Sequence, residues 1–63
     1  MKRRRVYAGD IIGLEGYPEA RVESVKAGLI TLETGQTCRY ADIYLHARES
    51  DDGGWTILYR KEN

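Results

Sequence analysis

Hydrophobic residues in this chain form short runs, with turn residues between them. The first run, Ile11, Ile12 and Leu14, stops before a loop that contains Pro18, and proline disfavours helix in the residue before it. No segment of about ten residues has the helical period of 3.6. The pattern therefore predicts strands, beginning near Val6.

The second predicted strand contains a change of phase. Ala20, Val22 and Ser24 alternate with polar residues, but Val25 is apolar one position out of step. One extra residue moves all later side chains to the opposite face of a strand, so we expect a bulge or bend between Glu23 and Val25. Turn residues at 26–28 then lead into a third strand over residues 29–34.

The second half of the chain predicts a short strand at 37–40 and a long C-terminal hairpin at 43–60. Between them, residues 41–48 fit either an alternating strand or a single helical turn capped by Asp42, and we expect a short turn leading into a strand. The turn signal at 50–54 is the strongest in the chain, and the segment after it is rich in strand-forming residues.

Five to six short antiparallel strands must curl to cover their apolar face, which predicts an all-β small barrel. The stretches "AGD", "GYPEARVESV", "AGLITLETG" and "YADIYL" resemble SH3-like barrels of the Tudor and KOW kind over roughly residues 6–47. The long C-terminal hairpin departs from the simplest version of that fold. In style the chain also looks like phage, prophage or plasmid accessory proteins.

At 63 residues the chain is long enough for one domain, predicted over residues 6–63. Residues 1–5 contain four consecutive basic residues and are expected to form a mobile arm. The formal net charge is zero, so the whole domain has no field that favours nucleic acid. No apolar run reaches membrane-spanning length, and we expect a cytoplasmic protein without a membrane partner.

Catalysis has little support in the sequence. Cys38 and His46 are the only cysteine and histidine and form no nucleophile–base signature, so we predict no enzyme, no metal site and no cofactor. We expect Cys38 to be a small buried hydrophobe and His46, which alternates with Ile43 and Leu45, to lie at the surface.

An oligomeric enzyme stays open as an alternative, through a resemblance to type II dihydrofolate reductases. That family carries a Val-Gln-Ile-Tyr stretch where this chain has Ala-Asp-Ile-Tyr at 41–44, so no catalytic residue is carried over.

Binding is the expected function, and two classes of partner stay open. Nucleic acid would meet a basic set on the arm and nearby strands: Lys2, Arg3, Arg4, Arg5, Arg21 and Arg39. The ten acidic residues of the chain oppose this. A protein partner would instead meet an aromatic set: Tyr17, Tyr44, Trp55 and Tyr59.

Some of the aromatic rings are needed inside the protein. We expect Tyr40 and either Trp55 or Tyr59 to complete the core. The edge of the C-terminal hairpin also allows a homo-oligomer through strand pairing.

Overall fold

The computed structural model describes residues 5–61, which form six antiparallel strands and no α-helix. The strands are β1 (Ile11–Leu14), β2 (Ala20–Lys26), β3 (Leu29–Leu32), β4 (Thr37–Arg39), β5 (Ile43–Glu49) and β6 (Trp55–Arg60). They form one sheet in the order β4-β3-β2-β1-β5-β6. The predicted all-β class is confirmed, and so is the long hairpin, made by β5 and β6.

The sheet is open. Within residues 5–61 no ladder joins β4 to β6, so these two strands are its edges. The turn between β5 and β6 closes where the Ser50 N–H donates to the Gly54 carbonyl, 2.7 Å away. A 3₁₀ turn at Tyr40–Asp42 leads into β5, as the sequence predicts, and the Arg39 N–H donates to Oδ2 of Asp42.

Irregular registers determine which side chains face the core. The bulge predicted in β2 is confirmed as a register shift between Val22 and Ser24. A second shift, which the sequence analysis missed, lies between β1 and β5: Gly13 is opposite Leu45 but Leu14 is opposite Ile43, so Tyr44 is the extra residue. Because of this extra residue, Ile43 and His46 both face the core side of the sheet.

One apolar cluster forms the core, with side chains from β1 to β5 and from Val6, which precedes them. Its buried members are Val6, Ile12, Leu14, Val22, Ile30, Leu32, Cys38 and Ile43. Tyr40 and Tyr59 pack against this cluster, whereas half of Trp55 is exposed. The prediction that Tyr40 and one of the two C-terminal rings complete the core is therefore confirmed, with Tyr59 as that ring.

Candidate functional site

Exposed hydrophobic area is concentrated on β6. Trp55, Ile57 and Leu58 are 50%, 46% and 41% exposed, far more than a core strand allows. Ile57 is opposite Ala47, the neighbour of the core-facing His46, so Ile57 lies on the face turned away from the core. We call Trp55, Ile57 and Leu58 the β6 surface.

β6 is also an edge of the sheet that residues 5–61 form. It pairs with β5 on one side only, and no other strand within residues 5–61 lies beside it. About half of its N–H and C=O groups therefore point away from the sheet, as in any edge strand. Leu58 is an extra residue relative to β5, because His46 is opposite Tyr59 while Ala47 is opposite Ile57. The regular part of the free edge is consequently residues 55–57.

Opposite charges flank the two ends of β6. The turn before it contains the exposed Asp51 and Asp52, while the exposed Arg60 and Lys61 lie at its other end. Asp52 is held in the turn, since its Oδ1 accepts hydrogen bonds from the Ser50 hydroxyl and the Gly54 N–H, and these bonds lower its pKa. The free edge is thus acidic at its start and basic at its end.

A polar network joins the segment before β1 to β5, and its geometry corrects one prediction. His46, expected at the surface, is fully buried, and its Nε2 lies 2.8 Å from Oδ2 of Asp10. Arg48 donates from Nε to Oδ1 of Asp10 at 2.9 Å and from its second nitrogen, Nη2, to Oδ2 at 3.0 Å. The prediction for His46 was wrong because the bulge at Tyr44 reverses the alternation that Ile43 suggested.

Burial would raise the pKa of Asp10, but the hydrogen bonds from Arg48, His46 and the Tyr7 N–H, with the charge of Arg48, outweigh it and lower the pKa to about 2. The Arg48 guanidinium also lies 5.3 Å from the centre of the Tyr7 ring. Asp10 is therefore an ionised, fully engaged carboxylate. The network ties the segment before β1 to β5, and neither Asp10 nor His46 is exposed to a substrate.

Cys38 lies apart from this network, in the apolar core, as the sequence predicts. Burial, together with the negative charge of Asp42, raises the pKa of its thiol. The thiol therefore stays protonated and is a poor nucleophile.

An open cleft of about 310 Å³ lies near the C-terminal end of β6. Its lining consists of Glu15, Gly16, Asp42, Tyr44 and Lys61. The Tyr44 hydroxyl donates weakly to Oε2 of Glu19, 3.5 Å away. Within residues 5–61, no three His, Cys, Asp or Glu side chains are grouped so that they could hold a metal ion.

Among the basic residues selected from the sequence, Arg21 and Arg39 lie on different parts of the described sheet. Lys2, Arg3 and Arg4 lie outside the described residues, and Arg5 is exposed. Arg21 donates to the Gly9 carbonyl and forms an ion pair of 3.0 Å with Glu49. Arg39 is exposed on β4 and lies opposite Leu29 of β3. On its other side Leu29 lies opposite Lys26, which is at the other end of β2 from Arg21.

The aromatic residues selected from the sequence are also dispersed. Tyr17 follows β1, where its N–H donates to the Leu14 carbonyl, and Tyr44 lies at the same end of the sheet, beside Lys61. Trp55 is at the opposite end of β6, about 17–20 Å away for a strand of this length. Tyr59 packs against the core. Only Trp55 belongs to the β6 surface.

Ile57 and Leu58 were not among the site residues predicted from the sequence. The sequence carries only a partial signal: residues 55–59 place a large apolar side chain on each face of a strand, but no local pattern shows that this strand is an edge of the sheet. A strand with two apolar faces needs cover on both.

Comparisons with known proteins give no relative. No family model, no curated protein and no solved structure matches this chain. Over residues 5–61, helices of the length and hydropathy needed to cross a bilayer do not occur.

Proposed function

We propose that this chain is a non-enzymatic binding module whose partner is a protein segment that docks on the β6 surface. One observation carries the proposal: Trp55, Ile57 and Leu58 are exposed together on a strand that is also an edge of the sheet formed by residues 5–61. Exposed apolar patches of this kind mark protein interaction sites, and a free edge supplies backbone groups to an added strand.

The charges of the described surface favour protein over nucleic acid as the partner. Arg21 is paired with Glu49, and Arg48 is committed to Asp10. Two basic residues and two acidic residues flank β6, so a phosphate backbone laid along it would meet repulsion at the acidic end. Nucleic-acid binding through Lys2 to Arg5 is therefore the alternative that the test must distinguish from protein binding at β6.

We further propose that the all-β fold is an SH3-like barrel. β2 supports this, because it pairs with β1 at Ala20 and Arg21 and with β3 from Val22 to Lys26, across the register shift, and so belongs to both halves of the sheet. A strand shared in this way is bent, and a bent strand curls a small sheet toward a barrel. A small accessory or regulatory factor that acts through one surface fits this size.

The test compares the wild-type chain with a Trp55→Ser, Ile57→Thr variant. Each protein is immobilised and screened against displayed random peptides, and recovered peptides are then titrated by fluorescence anisotropy. We expect extended, apolar peptides that bind the wild type and lose about tenfold or more in affinity for the variant. Leu29→Thr, which changes an exposed leucine on β3, is the matched control and should bind as the wild type does.

Two results would overturn the proposal. Peptides that bind the wild type and the β6 variant equally would remove the β6 surface from the site. The proposal would also fail if labelled single-stranded or duplex nucleic acid bound the β6 variant as tightly as the wild type, with affinity that falls steeply as salt rises. That result would favour the basic arm as the binding site.

A further inference from the structure

The charges and register of β6 identify a specific occupant for its free edge. Resting on the function proposed above, we propose that the segment docking on β6 is the β6 strand of a second copy, in antiparallel orientation. The two copies would form a symmetric dimer with one continuous sheet across the interface.

The charge pattern sets the orientation. Each edge is acidic at Asp51 and Asp52 and basic at Arg60 and Lys61. An antiparallel copy places the basic end of each strand beside the acidic end of the other, whereas a parallel copy places like charges together. A second copy in antiparallel orientation is therefore complementary at both ends at once.

The bulge sets the register. The regular part of the edge is residues 55–57, because Leu58 is the extra residue relative to β5. A two-fold axis at Thr56 pairs this segment with itself and places Trp55 opposite the partner's Ile57. At each end of the paired segment, the partner's Arg60 and the partner's Lys61 then lie near the turn that carries Asp51 and Asp52.

This register also covers the apolar side chains. Trp55 and Ile57 are two residues apart on a strand and share a face, and directly opposite residues of antiparallel strands share a face too. Trp55 and Ile57 of both copies therefore form one apolar cluster across the two-fold axis. These residues are 50% and 46% exposed in the single chain, so pairing removes apolar area that the fold leaves in water.

Light scattering coupled to size-exclusion chromatography, over a wide range of chain concentration and at low salt, measures the assembly. We expect the wild type to dimerise with a dissociation constant in about the micromolar to millimolar range, since the paired segment is short. Asp51→Lys and Arg60→Glu should each raise that constant by about tenfold or more, because each cancels the net charge of one strand end and so removes the complementarity at both ends of the interface. Leu29→Lys, on β3, should leave the dimer intact.

Mixing the two variants is the decisive experiment. The Asp51→Lys variant has no net charge at the start of β6 and stays basic at its end, whereas the Arg60→Glu variant stays acidic at its start and has no net charge at its end. Each should be mainly monomeric alone, and together they should form a one-to-one heterodimer. The chain with both substitutions has no net charge at either end and should stay monomeric, while formation of the heterodimer shows that both single variants fold.

The outcomes separate this inference from the proposed function. A wild type that remains monomeric at about millimolar concentration, or variants that do not recover on mixing, would overturn the second copy as occupant. If the peptides described above still bind β6 in that case, the proposed function stands without self-pairing. Loss of both results would remove the function as well.

Discussion

Nε2 of His46 donates a hydrogen bond to Oδ2 of Asp10 over 2.8 Å, and both side chains are buried. The Asp10 carboxylate accepts three further hydrogen bonds, one from the Tyr7 N–H and two from Arg48. An ionised carboxylate can only accept, so Nε2 of His46 carries the proton. Within residues 5–61, the buried Nδ1 of His46 has no hydrogen-bond partner.

Asp10 should make the stability of the protein depend on acid pH. Its pKa falls from the ordinary value of 3.8 to about 2 on folding. A lowered pKa stabilises the folded state above the unfolded pKa, and this stabilisation is lost as pH falls from about 4 to about 2. The shift corresponds to about 2 kcal/mol of unfolding free energy. Urea unfolding of the wild type and of Asp10→Asn at several pH values measures it.

The wild type and Asp10→Asn should differ in how steeply the free energy of unfolding changes with pH. The variant should be less stable at neutral pH but should lose less stability than the wild type between about pH 4 and pH 2. Subtracting the two curves removes the contribution of the other carboxylates, Asp52 included. Parallel curves would contradict the prediction, and so would a carboxyl ¹³C titration of Asp10 in the wild type with a midpoint near its ordinary pKa.

Arg48 should account for much of that shift. Arg48→Ala removes two hydrogen bonds and a positive charge from Asp10, so the pKa of Asp10 should rise and the acid loss of stability should begin at higher pH. Because the guanidinium is about half exposed, solvent screens it, and we expect a cost of about 1–2 kcal/mol at neutral pH. Arg48→Lys keeps the charge without the two-pronged contact and should lie between wild type and Arg48→Ala. Equal stability of all three proteins would contradict this role.

The succession of strands along the chain follows closely from the sequence, because turn residues and alternation are local signals. The bulge in β2 was predictable since Val25 is visibly out of phase with Val22. The bulge at Tyr44 leaves no such mark: Ile43, Leu45 and Ala47 alternate regularly, and all three are buried, although on different faces. Only the pairing with Gly13 and Leu14 shows where the alternation breaks.

The candidate site was less predictable, because it depends on which strand has a neighbour on one side only. Residues 55–60 were correctly predicted as a strand, but a strand and an edge strand have the same local signals. The dispersed positions of Tyr17 and Trp55 likewise result from the antiparallel path of β5 and β6. The Asp10–His46 contact joins residues 36 positions apart, which alternation alone does not encode.

Gly13 should not tolerate a side chain. A Cβ atom at this position would lie 3.0 Å from Cβ of Leu45 and 3.1 Å from Cζ of Tyr44. Gly13→Ala should therefore lower the free energy of unfolding by about 1–3 kcal/mol. Adding Tyr44→Ser should recover part of that loss, because the ring is the more movable of the two neighbours.

Gly54→Ala is the matched control for this substitution. Its added Cβ would approach no atom closer than Oδ1 of Asp52, at 3.4 Å, and thermal unfolding of the variant should differ little from that of the wild type. A Gly13→Ala protein as stable as Gly54→Ala would mean that the β1–β5 contact is looser than described.

The turn between β2 and β3 should be improvable at Ala27. Ala27 has a φ of 52° and Gly28 a φ of 82°, so both central residues of this two-residue hairpin turn adopt the left-handed region. An alanine there costs roughly 1–2 kcal/mol, while asparagine accepts the region more readily and Asn-Gly is the preferred pair in such turns. Ala27→Asn should raise the free energy of unfolding by about 0.5–1 kcal/mol, measured by urea denaturation. Ala8→Asn, at an exposed turn position without a positive φ, is the control and should give no gain; equal effects at the two positions would show that backbone strain at Ala27 is not the cause.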